Sequence, residues 1–217
     1  MKTDAQLQKD ILAELAWDPA INATDIGVIV KDGVVTLTGQ LTNYAEKYAA
    51  ERAVRRVSGV KALAVEIEVR LSPSYKRSDS DIATAVQHAI DWNVVIPDNC
   101  IQPKVEKGWL TLNGEVEWNY QRKAAERAVR DLQGIVGVTN LVKVKPKVAT
   151  GDIQKNINDA LVRQAEREAR KLEIKVDGSR VTLHGKVHSW AELRAVQGAA
   201  WAAPGVSTVE NDLTVEP

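Results

Sequence analysis

Two spacings of apolar residues alternate along the chain, and the alternation occurs three times. A spacing of three to four residues opens each repeat and predicts an amphipathic helix. Stretches in which apolar and polar residues alternate follow it, and they predict strands with one buried face. The apolar positions of the first helices are Leu7, Ile11 and Leu15, then Ile82, Val86 and Ile90, then Ile153, Ile157 and Leu161.

Glycines set the register of the three repeats. GVVTLTG (33–39), GWLTLNG (108–114) and GSRVTLHG (178–185) share a Gly-x-x-Thr-Leu-x-Gly core, with one inserted residue in the third. Twenty residues after the last glycine of each stands another glycine, followed by Val or Ile. Between these landmarks AAERAVR occurs at 49–55 and again at 124–130. The motif glycines are Gly33, Gly39, Gly59, Gly108, Gly114, Gly134, Gly178, Gly185 and Gly205.

Each repeat therefore reads helix, strand, strand, helix, strand. The predicted boundaries are 1–72, 77–146 and 149–217. Two helices for three strands cover one face of a small sheet, and the other face stays open to water or a partner. The predicted fold class is α+β, with three tandem αββαβ modules, each a small mixed three-stranded sheet with two helices on one face.

Capping residues mark the predicted helix starts. The second helices of repeats one and three begin at Asn43 and Ser189, each followed three residues later by glutamate, as in a capping box. Trp118 stands at this position in repeat two, so that cap is weaker. Asp4, Asp79 or Asp81, and Asp152 are the predicted N-caps of the first helices.

Small residues on the second helices explain the repeated phrase. They recur at intervals of four residues, which predicts a helix face that lies close to the sheet. Helix packing therefore accounts for the repeated phrase without a catalytic or binding role. The members of this stripe are Ala49, Ala53 and Val57, then Ala124, Ala128 and Leu132, then Ala195, Ala199 and Ala203.

The hairpin register decides which strand residues face the open side. A two-residue turn at Asp32-Gly33 pairs Val30 with Val35 and turns both toward the helices. By the same register Trp109 of repeat two lies on the open face, outside the predicted core of its own repeat. Either a neighbouring repeat or an external ligand is expected to cover it.

The last strands carry opposite charges on their open sides. Glu66 and Glu68 point outward in repeat one, and Lys143 and Lys145 do so in repeat two, so the two faces attract one another within or between molecules. The predicted partner-contact residues are Trp109, Trp118, Lys104, Lys143, Lys145, Glu66 and Glu68.

Composition narrows the class of partner. The 217 residues are 44% hydrophobic and 27% charged, as in ordinary globular domains. The 29 basic and 29 acidic residues leave no excess positive charge for nucleic acid, which is therefore not an expected partner. No apolar run approaches the roughly 18 residues of a membrane span. The first residues also lack a leader-like apolar stretch, which predicts a cytoplasmic protein, or a periplasmic one if a leader was removed.

The sequence offers no constellation that is typical of an enzyme. The Gly-x5-Gly pattern lacks the Lys-Ser/Thr pair of a phosphate loop and lies on a predicted strand. His184 and His188 flank Gly185 without a third metal ligand, and Cys100 is the only cysteine. We therefore expect no catalytic residue, no metal and no cofactor.

The glycine core, the Ala-rich helix and the Gly-Val or Gly-Ile before the last strand resemble the BON domain, a family named for bacterial osmotically inducible and nodulation proteins. Asn140 and Asn211 match its Asn-x-Leu/Val ending, whereas repeat one has Val65 there. The resemblance implies binding to phospholipid or membrane surfaces, or to envelope proteins, under osmotic or other stress. Two alternatives stay open: a self-assembling or chaperone-like scaffold that docks through the open sheet faces, and a cytosolic protein that binds potassium or a small ligand.

Overall fold

The computed structural model of the protein describes residues 2–146, 152–164 and 172–215, which form three copies of one unit, here called modules 1, 2 and 3. Module 1 consists of α1 (Asp4–Trp17), β1 (Ile26–Lys31), β2 (Val34–Leu41), α2 (Tyr44–Val54) and β3 (Ala62–Val69). Module 2 consists of α3 (Asp79–Asp91), β4 (Ile101–Glu106), β5 (Trp109–Val116), α4 (Asn119–Val129), β6 (Gly137–Asn140) and β7 (Lys143–Val144). Module 3 consists of α5 (Ile153–Gln164), β8 (Glu173–Asp177), β9 (Arg180–Val187), α6 (Trp190–Ala202) and β10 (Thr208–Val215).

Each module has its own small mixed sheet. Its first two strands pair antiparallel, and its last strand pairs parallel with the second, so the orders are β1-β2-β3, β4-β5-β6 and β8-β9-β10. In module 2, β7 also pairs parallel with β5, beyond the end of β6. Val30 lies opposite Val35, as the two-residue turn predicts. The predicted α+β class is therefore confirmed.

Both helices of a module cover the same face of its sheet. The apolar residues predicted on the first helices are buried, and each module has a separate apolar core. On the reverse face of module 1, Ile29 is 59% exposed. One face of each sheet is open, as predicted, because two helices are only wide enough to cover the other.

The turn of the third hairpin corrects one prediction. Asp177 pairs with Arg180, which leaves a two-residue turn of the same length as in module 1. Gly178 occupies the first turn position with φ of 56°, where Asp32 has φ of 53°. The predicted insertion in the third repeat is therefore wrong: the glycine stands one position earlier in a turn of unchanged length.

The N-caps of the first helices differ in part from the prediction. Thr3 caps α1 and Ser78 caps α3, and each side-chain oxygen accepts a backbone N–H of the first turn. Asp152 caps α5 as predicted, because its Oδ1 accepts the N–H of Lys155 at 2.9 Å.

The aspartates predicted as caps of α1 and α3 instead fasten the hairpin turns. The Asp79 carboxylate accepts the N–H groups of Lys107 and Gly108 at 2.8 and 2.9 Å. Both turn residues have positive φ, and successive N–H groups in such turns converge on an anion. Asp4 makes the same pair of bonds to the turn of module 1.

Replacing Asp79 by alanine should lower the free energy of unfolding by about 1–2 kcal/mol, because two charge-assisted hydrogen bonds are lost. Asp79→Asn retains one acceptor oxygen and should lose about half as much. Urea unfolding followed by circular dichroism measures both. Asp98→Ala, at an exposed loop aspartate of the same module, is the matched control. An equal loss in this control would contradict the assigned role.

The small-residue stripe is wrong at one position of α6. Ala199 and Ala203 are buried as predicted, but Ala195 is exposed, and α6 buries Leu193 and Val196 in that turn instead. A spacing of four residues advances by about 40° per step around a helix of 3.6 residues per turn, so the first member of the stripe lies off the face that buries the later ones.

Candidate functional site: the junction of modules 2 and 3

The modules contact one another in a cycle through the first residues of their second helices. Tyr44 of α2 packs on the core of module 2. Trp190 of α6 packs on the core of module 1, and its Nε1 donates a hydrogen bond to the carbonyl of Val60 at 2.6 Å. Asn119 of α4 lines a pocket together with Trp201 of module 3. Each module thus lies against the next, and module 3 closes the ring on module 1.

Cation–π contacts support two of these junctions. The Arg130 Cζ lies 4.6 Å from the ring centroid of Tyr48, between modules 2 and 1. The Arg122 Cζ lies 4.6 Å from the ring centroid of Trp201, between modules 2 and 3. Burial lowers the pKa of Arg122, and Glu126 partly offsets this effect. Arginine is effectively always protonated in proteins, so the half-buried guanidinium keeps its charge.

Burial has a comparable effect at the junction of modules 1 and 2. It raises the pKa of the Tyr44 hydroxyl to about 12, with a smaller contribution from the carboxylate of Glu126. The hydroxyl is therefore neutral at physiological pH, and Tyr44 acts at this junction as a packing group.

A cleft of about 850 Å³ lies between modules 2 and 3. No carboxylate is among the described residues that line it, so its basic groups make the local potential positive. Lys145 forms an ion pair with Glu115 at 2.5 Å, whereas Lys123, Lys143 and Arg194 have no ion-pair partner in the described ranges. The five basic residues of the cleft are Arg122 and Lys123 from α4, Lys143 from β7, Lys145 just after it, and Arg194 from α6.

A second pocket of about 510 Å³ adjoins the cleft and is mainly aromatic and small-chained. The rings of Trp118 and Tyr120 stack with centroids 6.4 Å apart on one side of it. Asn119 is 4% exposed, and its Oδ1 has no hydrogen-bond partner in the part of the chain that the structure describes. The lining residues are Trp118, Asn119, Tyr120, Lys123, Gly198, Trp201 and Ala202, of which Lys123 and Trp201 also line the cleft.

Trp109 and Trp118, both predicted as partner contacts, lie on different surfaces. Trp109 is on the open face of module 2, where it is 48% exposed and its Nε1 donates to the Thr139 hydroxyl at 2.9 Å. A side chain at Gly137 would meet its ring, so Trp109 lies across its own sheet. Trp118 is half-buried at the junction with module 3.

The charged residues predicted as partner contacts also lie on different surfaces. Lys104 pairs with Glu106 at 3.3 Å on the open face of module 2, and Glu68 pairs with Arg70 at 3.2 Å in module 1. Glu66 is exposed on the same face as Glu68. These neighbouring pairs reduce the charge contrast between the two sheet faces. Lys143 and Lys145 are the predicted charges that the fold brings to the cleft.

The sequence prediction missed Arg122, Lys123 and Arg194, because they lie on two helices of different modules. One signal was present in the sequence: the first residue of the second helix is aromatic in modules 1 and 3 but Asn119 in module 2. A departure from the repeat at that position marks the junction that carries the pocket.

Two properties of the described residues bear on the class of site. None of the described helices has the length and apolar character that crossing a membrane requires. Within the same ranges, no three His, Cys, Asp or Glu side chains are grouped so that they could hold a metal ion.

Comparisons with known proteins add the family context. The sequence model of the BON domain matches residues 3–70, 78–146 and 149–217. Osmotically-inducible protein Y of Escherichia coli (strain K12) is 26% identical over 146 residues, which are 65% of this chain and 73% of that protein.

Two solved structures are similar over nearly the whole chain, but with low scores. CdsD, a structural protein of the type III secretion system of Chlamydia trachomatis, matches with 16% identity and a TM-score of 0.26 over 96% of this chain and 91% of that one. Its C-terminal domain matches with 15% identity and a TM-score of 0.28 over 100% of both chains. Scores this low do not establish a common fold.

Proposed function

The chain belongs to the BON domain family, with three copies of the domain, and on this premise we propose that it is a non-enzymatic protein that binds anionic phospholipid surfaces through the cleft between modules 2 and 3. The similarity to osmotically-inducible protein Y supports a role in osmotic stress.

The observation that carries this proposal is the distribution of charge. The chain as a whole has 29 basic and 29 acidic residues, yet five basic side chains line one cleft. Three of them, Lys123, Lys143 and Arg194, are exposed and without an ion-pair partner among the described residues. A basic side chain near an anionic membrane contributes about 1 kcal/mol, so these three together contribute about 3 kcal/mol.

Vesicle co-sedimentation tests the proposal. Vesicles of phosphatidylglycerol and phosphatidylcholine should bind the full chain at low salt, and pure phosphatidylcholine vesicles should not. The double variant Lys143→Glu/Arg194→Glu should bind the anionic vesicles roughly 1000-fold more weakly, since two attractions of about 1 kcal/mol each become repulsions of similar size. High salt should weaken binding of the unchanged protein in the same direction.

The matched control for this variant is Lys104→Glu/Lys175→Glu. It changes the net charge equally, but at exposed lysines of open sheet faces away from the cleft. We expect it to bind as the unchanged protein does. An equal loss in the two double variants would mean that overall charge, and not the cleft, governs attachment.

The two alternatives from the sequence stay predictions. Docking through the open sheet faces would use charges such as Lys104 and Glu68, which already have partners on their own sheets. Potassium binding would require a site of oxygen ligands, to which none of the contacts described above points.

A further inference from the structure

We propose that the aromatic pocket beside the cleft holds one acyl chain, so that the junction of modules 2 and 3 binds a single molecule of a one-chain anionic phospholipid. The phosphate lies in the cleft, and the chain lies against Trp118, Tyr120 and Trp201. This inference rests on the proposed function in assigning the cleft to a phosphate group.

The internal repeat provides the first argument. At the other two junctions the first residue of the second helix is a large aromatic, Tyr44 or Trp190, which packs on the core of the neighbouring module. At this junction the same position is Asn119, which is much smaller. The pocket at its side has a volume of about 510 Å³, within the range typical of small-molecule sites.

The chemistry of the lining provides the second argument. Tyr120 is exposed although it is a large aromatic, and it borders the pocket together with the stacked Trp118. On the opposite side Gly198 and Ala202 of α6 expose little more than backbone and a methyl group. An acyl chain between these two walls would remove apolar surface from water on both sides.

The third argument is that the cleft for the phosphate head group and the pocket for the acyl chain adjoin each other. Lys123 and Trp201 line both the cleft and the pocket, so an anion in one is directly followed by an apolar group in the other. The ligand that fits both places is an anionic phospholipid with one acyl chain, such as lysophosphatidylglycerol.

Isothermal titration calorimetry of the full chain with short-chain lysophosphatidylglycerol, below its critical micelle concentration, tests this inference. Gly198→Leu should weaken the affinity at least 10-fold, because a Cβ at this position meets no atom within 4 Å, so the helix accepts a side chain, and a leucine here would fill part of the pocket that Gly198 lines. Trp92→Ala, at a tryptophan that is almost fully exposed elsewhere on module 2, is the control and should leave the affinity unchanged. Circular dichroism verifies that both variants are folded.

Further measurements separate this inference from the proposed function. Lysolipid binding that is weakened by Gly198→Leu, while binding to anionic vesicles persists, supports the acyl-chain pocket. Lysolipid binding without any vesicle binding also supports it and contradicts only the surface proposal. Vesicle binding without lysolipid binding overturns the pocket alone, and failure of both ligands overturns both. Inorganic phosphate that binds as tightly as the lysolipid overturns the pocket, because the chain then contributes nothing.

Discussion

Gly114→Ala is expected to lower the free energy of unfolding by about 3–5 kcal/mol. Gly114 has φ of 138°, a conformation that residues with a side chain rarely adopt. A Cβ at this position would lie 2.0 Å from the carbonyl oxygen of Cys100. That carbonyl accepts the N–H of Glu115 at 3.1 Å, so it cannot move away without disturbing the hairpin.

The same substitution should have the same effect in module 1. Gly39 has φ of 134°, and a Cβ there would lie 2.0 Å from the carbonyl oxygen of Asp25. In both modules the obstacle is the backbone just before the first strand of the hairpin. The conflict therefore cannot be relieved by a change of rotamer, and it should be large wherever the motif glycine is replaced.

Thermal unfolding followed by circular dichroism measures this effect, with an expected fall of roughly 6–20 °C in Tm for Gly114→Ala. Gly198→Ala is the matched control, because this glycine lies inside α6 and an added Cβ meets nothing within 4 Å. Alanine is the better helix former, so the control should be stabilised by about 0.5–1 kcal/mol. A Tm for Gly114→Ala within one or two degrees of the unchanged protein would contradict the steric explanation.

The internal repeat explains why these glycines could be identified from the sequence, although their backbone conformation could not. The requirement for a positive φ at this position recurs in each module, so Gly39, Gly114 and Gly185 stand at the same distance from the next glycine landmark. The strand register was predictable for a related reason, since alternation and a two-residue turn together allow one pairing of Val30.

The sequence could not predict the junctions to the same degree. They depend on side chains that are distant along the chain, such as Arg122 against Trp201, and equal numbers of acidic and basic residues hide the local cluster in the cleft. The turn-binding role of Asp79 was missed for the same reason, because an aspartate near a helix start also suits an N-cap. Residues that the three repeats share predict the fold of each module. A residue that differs from its counterparts in the other repeats, as Asn119 does, marks a contact between modules.

Trp190→Ala is expected to open the ring of modules and to cost about 2–3 kcal/mol of stability. The indole packs on the cores of modules 1 and 3, and its N–H is bonded to the Val60 carbonyl. Module 3 would then be free to move from module 1, while the contact of Arg130 with Tyr48 still joins modules 1 and 2. Small-angle X-ray scattering should show a larger radius of gyration.

Two further variants make the assignment specific. Trp190→Phe keeps an aromatic ring on the core of module 1 and loses only the hydrogen-bond donor, so we expect a cost of about 1 kcal/mol and an unchanged radius of gyration. Trp17→Ala, at a tryptophan that is 83% exposed in module 1, should change neither quantity. An unchanged radius of gyration in Trp190→Ala would mean that other contacts close the ring.

The opening of the ring should also weaken attachment to anionic vesicles, because α6 connects both junctions. Trp190 fixes the start of this helix to module 1, Arg194 lies one turn later in the cleft, and Trp201 near its end packs on module 2. When its start is released, Arg194 is no longer held at a fixed distance from Lys143. The basic groups of the cleft then lose their common orientation, even though Trp190 itself contributes no charge to it.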